Sequence, residues 1–134
     1  MKNYLLTYGS LRKGQYNYNA KELEYIDTIE ISGYKLYSLG AYPGIKYTGN
    51  EEDIIICDIL NVKTNKESDA IDYMELYADY SIASLPVILN KVIYACKLYI
   101  YNGFIDENNL IKHGDWSKYL KENCNSKNNT KCVE

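Results

Sequence analysis

Apolar residues recur along this chain mainly with the two-residue period of strands. Lys2 to Tyr8 is short, apolar and rich in aromatic and branched residues, and it stops at Gly9 and Ser10, which predicts a strand running into a glycine turn. Gln15 to Tyr25 mixes polar and apolar residues, with Tyr18 and Glu22 one helical turn apart, and predicts a short helix. Ile31 to Leu39 reads as a strand carrying Tyr34, Leu36 and Tyr37. It is followed by the loop GAYPG, where Pro43 and Gly44 force a turn long enough to line a site. Between Asp53 and Val62, Ile54, Ile56, Leu60 and Val62 fall on one face and Ile55, Cys57 and Ile59 on the other. A strand apolar on both faces belongs in the middle of a sheet.

Beyond it, Ala70, Ile71, Met74 and Tyr77 share a helical face over Lys66 to Tyr77, with Ser68 or Asp69 as the expected cap. Ser81 to Leu89 and Lys91 to Tyr101 return to strand spacing and predict a hairpin turning at Asn90 and Lys91. Trp116, Tyr119 and Leu120 fit one face of a last short helix. The segment KENCNSKNNTKCVE that follows has one aliphatic residue, Val133, so residues 1–120 are expected to form the domain and 121–134 a polar, flexible tail. Strands and helices do not alternate regularly, which disfavours a doubly wound parallel sheet. The expected class is α+β, a mixed and mainly antiparallel sheet closing into a small barrel with a few packed helices.

At 134 residues there is room for one domain, and 46% hydrophobic residues against 25% charged are enough for a true core. A net charge of -3 and a pI near 5.2 argue against nucleic acid as a partner, because neutralising phosphates needs a basic surface. Sixteen tyrosines, one tryptophan and one phenylalanine, with Arg12 the sole arginine, reflect a compositional bias and not a base-stacking surface. No stretch is long and apolar enough for a membrane span, and MKNYLLTYGS lacks the features of an export signal, so the expected location is the cytoplasm. Cys57, Cys96, Cys124 and Cys132 form no C-x-x-C pair, and the lone His113 does not complete a zinc set, so free thiols and no metal are expected. The glycosylation triplet at Asn128 is read as chance in a chain without an export signal.

Three features carry candidate chemistry. In YGSLRKG, successive backbone N–H groups after the first strand can converge on an anion. The segment lacks the Lys-Ser or Lys-Thr ending of a phosphate loop, and Ser10 lacks the G-x-S-x-G setting of a hydrolase nucleophile. Arg12, with its planar fork, is a candidate anion clamp. Glu75, emerging beside Ile71 and Met74, is where desolvation would raise a carboxyl pKa toward neutrality and so make it a proton shuttle. His113 is assigned no role.

YGSLRKGQYN, YKLYSLGAYPGI, AIDYMELY and IKHGDW occur in that order between Asn3 and Leu120. Together they resemble the gamma-glutamylcyclotransferase-like family, which includes the gamma-glutamylamine cyclotransferases and the AIG2-like proteins. The resemblance implies a small α+β barrel-like fold in which the YGSL turn and the glutamate helix face one cavity. It implies Glu75 as general acid/base, the amides of Gly9, Ser10 and Leu11 as holders of a substrate α-carboxylate, and Tyr8, Tyr42 and Tyr80 as cavity walls or donors. The implied reaction is attack of a γ-glutamyl α-amine on its own γ-carbonyl, releasing 5-oxoproline and an amine or amino acid. An intramolecular step of this kind calls for no cofactor. The expected partner is a small γ-glutamyl compound or another anionic metabolite. Leu76 and Ile82 depart from the family pattern, which often has Gly after the glutamate and Y-x-R in the next strand. These departures keep a second reading open, a non-catalytic protein that binds a small molecule in the same cavity.

Overall fold

A computed structural model describes residues 2–126. A five-stranded sheet in the order β2-β5-β1-β7-β6 is built from β1 (Tyr4–Thr7), β2 (Leu23–Ser32), β5 (Ile54–Val62), β6 (Tyr80–Leu89) and β7 (Val92–Tyr101). Only the β1–β7 pairing is parallel, so the sheet is mixed and mainly antiparallel. A second, three-stranded sheet orders β4 (Pro43–Tyr47), β3 (Tyr34–Ser38) and β8 (Leu110–Ile111). The class is α+β with two helices, α1 (Asn65–Tyr77) and α2 (Trp116–Ser126). The expected closure into a barrel is not formed: the described strands make two open sheets, with β2 and β6 at the edges of the larger one.

β5 occupies the interior position that its two apolar faces require. Ile55, Cys57 and Ile59 point into a core shared with Leu6, Leu98, Ile45 of the small sheet and Trp116 of α2. Leu60 and Val62 point the opposite way, toward Ile71 of α1. The β6–β7 hairpin turns at Asn90 and Lys91 as expected, both with positive φ.

Further expectations are corrected. Residues 12–22 form a succession of turns instead of a helix, with Gln15 N–H bonded to the Arg12 carbonyl and Glu22 N–H to that of Asn19; no helical apolar stripe is available there to bury. From Leu23 the chain is a strand. A bulge between Tyr25 and Asp27 turns Leu23 and Tyr25 toward Leu60 and Val62, but Ile29 and Ile31 toward the other face beside Cys57 and Ile55. The strand expected over Ile31 to Leu39 is divided at Gly33, whose φ of 94° carries the chain from the large sheet to the small one. Pro43 and Gly44 begin β4, and the turn closes ahead of them through a bond from Leu39 N–H to the Tyr42 carbonyl.

α1 is capped by Thr64, whose hydroxyl accepts from Glu67 N–H, and not by Ser68 or Asp69. Its Ile71 is buried, while Met74 and Tyr77 of the expected core face are exposed. α2 continues to Ser126, past the expected domain end at Leu120, and residues 127–134 lie outside the described residues. Among the described residues no helix is long and apolar enough to cross a membrane.

Candidate functional site

β1 delivers the YGSL turn from the middle of the sheet. The buried Tyr8 hydroxyl donates to the Tyr99 carbonyl of the neighbouring β7 at 2.7 Å. A Cβ on Gly9 would stand 2.9 Å from Pro43 Cγ, so only glycine lets the turn lie against the rigid ring at the start of β4. The carbonyls are occupied: Gly9 accepts from Arg12 N–H and Ser10 from Asn17 N–H. The N–H groups of Gly9, Ser10 and Leu11 donate to no acceptor among the described residues. Three consecutive N–H groups without an acceptor among the described residues thus stand at residues that line a cavity, an arrangement able to receive an anion.

Arg12 is not part of it, and its expected role as anion clamp is corrected. The side chain is buried, with Nε 3.3 Å from Asp58 Oδ1 and Nη1 3.0 Å from Asp115 Oδ1. Asp58, buried in the centre of β5, also accepts from Thr28 Oγ1 and from Lys13 N–H, each at 2.8 Å. Asp115 caps α2 by accepting from Lys118 N–H. The fork of Arg12 therefore fastens the YGSL turn to β5 and to the start of α2.

Above the turn lies a cavity of about 930 Å³, walled by the Leu39–Pro43 turn, α1 and α2. Tyr8, Gly9, Ser10 and Leu11 line it, as do Tyr42 at its exposed rim and Tyr80 in its wall. Glu75 opens into the same space. It is half-buried, its carboxylate accepts no hydrogen bond from a described residue, and burial pushes that carboxyl up to about 7. Tyr80 is held by donation of its hydroxyl to the Pro43 carbonyl at 2.6 Å. Burial first, then nearby Glu75, keeps that phenol from ionising in the ordinary range. Leu76 and Ile82 do not line the cavity.

Tyr99 belongs to the wall but has no sequence signal to separate it from fifteen other tyrosines. Its hydroxyl donates to Asp72, which also takes both contacts of Lys97 Nζ at 2.9 Å. Asp58 and Asp115 were also missed as partners. A carboxylate inside the apolar run IIICDIL must be paired, and that was the available signal for the sole arginine. Trp116, 1% exposed and stacked on Tyr119, seats α2 as the second helical wall.

The family model for gamma-glutamyl cyclotransferase, AIG2-like, matches residues 5–118, which include the turn, the glutamate helix and the Asp115–Trp116 corner. The chain belongs to this family. None of the curated proteins matches the chain. Among solved structures, an uncharacterized protein of Pyrococcus horikoshii is similar at 19% identity and TM-score 0.71, over 92% of this chain and 97% of that one. An AIG2-like protein of Mus musculus is similar at 17% identity and TM-score 0.68, over 86% and 88%. The protein ytfP of Escherichia coli is 27% identical with a TM-score of 0.63, over 84% and 95%.

Proposed function

We propose that this protein is a gamma-glutamyl cyclotransferase that converts a small γ-glutamyl amide into 5-oxoproline and a free amine, with Glu75 as general acid/base. One observation carries the reading. A carboxyl poised near neutrality opens into the same cavity as three acceptor-free backbone donors, at positions 9 to 11.

The chemistry follows from those parts. The α-carboxylate of the glutamyl group seats on the N–H groups of Gly9, Ser10 and Leu11, which fixes the adjacent α-ammonium. Ionised Glu75 removes one proton from it. The freed amine attacks the γ-carbonyl carbon, a C–N bond forms to close the five-membered ring, and the original amide C–N bond breaks as Glu75 returns its proton to the leaving nitrogen. The ring nitrogen then gives up its second proton through Glu75 to the departing amine, which leaves as an ammonium and the ring as a neutral lactam. Atoms balance without water. Because nucleophile and electrophile belong to one molecule, holding the glutamyl chain folded supplies a large part of the rate. Tyr8, Tyr42 and Tyr80 shape the pocket around the folded chain.

The test is 5-oxoproline release from γ-glutamyl amides by wild type and by Glu75→Gln. Removal of a general base is expected to lower kcat by about 10²–10⁴-fold while binding persists. The alternative, a non-catalytic binding protein, drew on Leu76 and Ile82, and neither residue lines the cavity. No release by folded wild type, together with binding of the same compounds, would establish that alternative instead.

A further inference from the structure

α1 carries Glu75 but grips the sheet with little apolar surface. Of its 13 residues only Ser68 and Ile71 are buried, while Tyr73, Met74, Leu76 and Tyr77 are exposed. Ile71 joins Leu60, Val62, Tyr80 and Tyr99 in the core on that side of the sheet. One apolar anchor leaves a helix free to turn and slide about it, so other contacts must set where Glu75 points.

Polar side chains of β7 supply them. Lys97 and Tyr99 stand two residues apart and project from the same face of the strand. Lys97 Nζ donates to Ser68 Oγ at 2.7 Å and to both carboxylate oxygens of Asp72 at 2.9 Å, and the Tyr99 hydroxyl donates to Asp72 Oδ1. Ser68 and Asp72 are one turn apart on α1, and Glu75 follows Asp72 by three residues, about 4.5 Å along the axis at 1.5 Å per residue. Two bonded positions a turn apart fix the helix in rotation and in translation, which Ile71 alone does not. Burial first, then the bond to Asp72, keeps the Tyr99 phenol protonated and therefore a donor. The Tyr99 carbonyl accepts from Tyr8, the residue before the N–H groups of Gly9 to Leu11, so β7 is tied to both halves of the site.

We infer that Asp72 and Lys97 are positioning residues for catalysis: with Tyr99 they lock α1 on β7 in the register that aims the Glu75 carboxylate at the substrate amine. Neither residue lines the cavity that Glu75 opens into. The inference rests on the cyclotransferase reading and adds to it a division of labour. The turn at Gly9 to Leu11 is fastened separately, by Arg12 to Asp58 and Asp115, and neither of those lies on α1. Loss of the Asp72–Lys97 lock should therefore act on kcat and spare KM.

Asp72→Asn, Lys97→Met and the double variant test it, through 5-oxoproline release from a γ-glutamyl amide at pH values on both sides of 7. Each is expected to lose about 10²-fold in kcat, the effect of a misplacement of about 1 Å, with KM held. The acid limb of kcat/KM, which follows Glu75, should move from about 7 toward 4.5 in all three as the carboxyl gains water. Tyr8 of β1, Tyr80 of β6 and Tyr99 share the cavity with Glu75, interact with its charge and are kept protonated by burial; Tyr16, Tyr42, Glu67 and Tyr119 line the same space. Charge alone predicts a different pattern: removing the Asp72 carboxylate lowers a neighbouring acid, removing the Lys97 ammonium raises it, and the double variant, with net charge unchanged, leaves it in place. The double variant also leaves neither charge orphaned, so it keeps the test open where a single variant does not fold, and thermal melting checks each. Limbs that move in opposite directions, a limb that stays in place in the folded double variant, or a loss borne by KM instead of kcat overturns the assignment and leaves the cyclotransferase intact. Absence of 5-oxoproline with folded wild type overturns the cyclotransferase reading and this inference with it.

Discussion

At Glu75, the property that suits a carboxyl to proton transfer also costs stability. Burial raises it from 4.5 to about 7, which means that the folded state holds a proton the unfolded chain would already have released. Folding therefore takes up a proton between those two values. The stability tied to the neutral acid is fully present below pH 4.5 and is lost as pH rises through 7. Glu75→Gln replaces the ionising group with a neutral one of the same shape. The variant should melt at a higher temperature than wild type at pH 8, the gap should narrow as pH falls through 7, and it should vanish below 4.5. Thermal melting of both proteins across that range is the measurement, and a pH-independent gap would contradict the assigned burial. The same ionisation should appear in catalysis. As the acceptor of the α-ammonium proton, Glu75 must start ionised, so kcat/KM should climb through pH 7 on its acid side.

Among the elements, the turn after β1 owes its position to side chains below it, because its own backbone donors at Gly9 to Leu11 reach no acceptor among the described residues. Arg12 and Asp58 provide the attachment. Their side chains are 10% and 3% exposed, so their attraction is little screened, and each would be costly alone. Asp58→Asn keeps the shape, but it leaves one acceptor where Oδ1 takes Thr28 Oγ1–H and Oδ2 takes Lys13 N–H, and it leaves the guanidinium facing only Asp115. A loss of about 3 kcal/mol is expected in denaturant unfolding. The KM for a γ-glutamyl amide should rise as well, since the turn loses its footing. Asp115→Asn should cost less: that carboxylate is 28% exposed, and water can replace part of what is removed. Equal costs for the two substitutions would show that the turn is held elsewhere.

On the scale of the whole molecule, regular period decided what the chain displayed in advance. β5, the β6–β7 hairpin and α2 could be read because each keeps one period from end to end, whereas α1 was found although only Ile71 of its expected apolar stripe is buried. β2 could not: its bulge moves the apolar positions from one face to the other midway, so neither alternation persists. Barrel closure was expected from the irregular succession of strands and helices and from the family resemblance, but Gly33 diverts β3 and β4 into a separate sheet, and local pattern does not record such a change of layer. In the site, Glu75 and the glycine turn were legible from chemistry against an apolar background. Arg12 was misassigned because its partners lie 46 and 103 residues away. The two-sheet arrangement also sets a gradient of stability. β1 and β5 lie inside the large sheet with both faces covered, whereas the far end of the β6–β7 hairpin extends beyond the packing, leaving Ile88, Val92 and Ile93 at 70%, 50% and 67% exposure. Native-state amide exchange should therefore be slowest in β1 and β5, where opening requires global unfolding, and faster by orders of magnitude from Val87 to Ile93, where the hairpin frays alone. Uniform protection along β6 and β7 would mean that something covers those isoleucines in solution, and a fall in protection on dilution would identify it as a second copy of this chain.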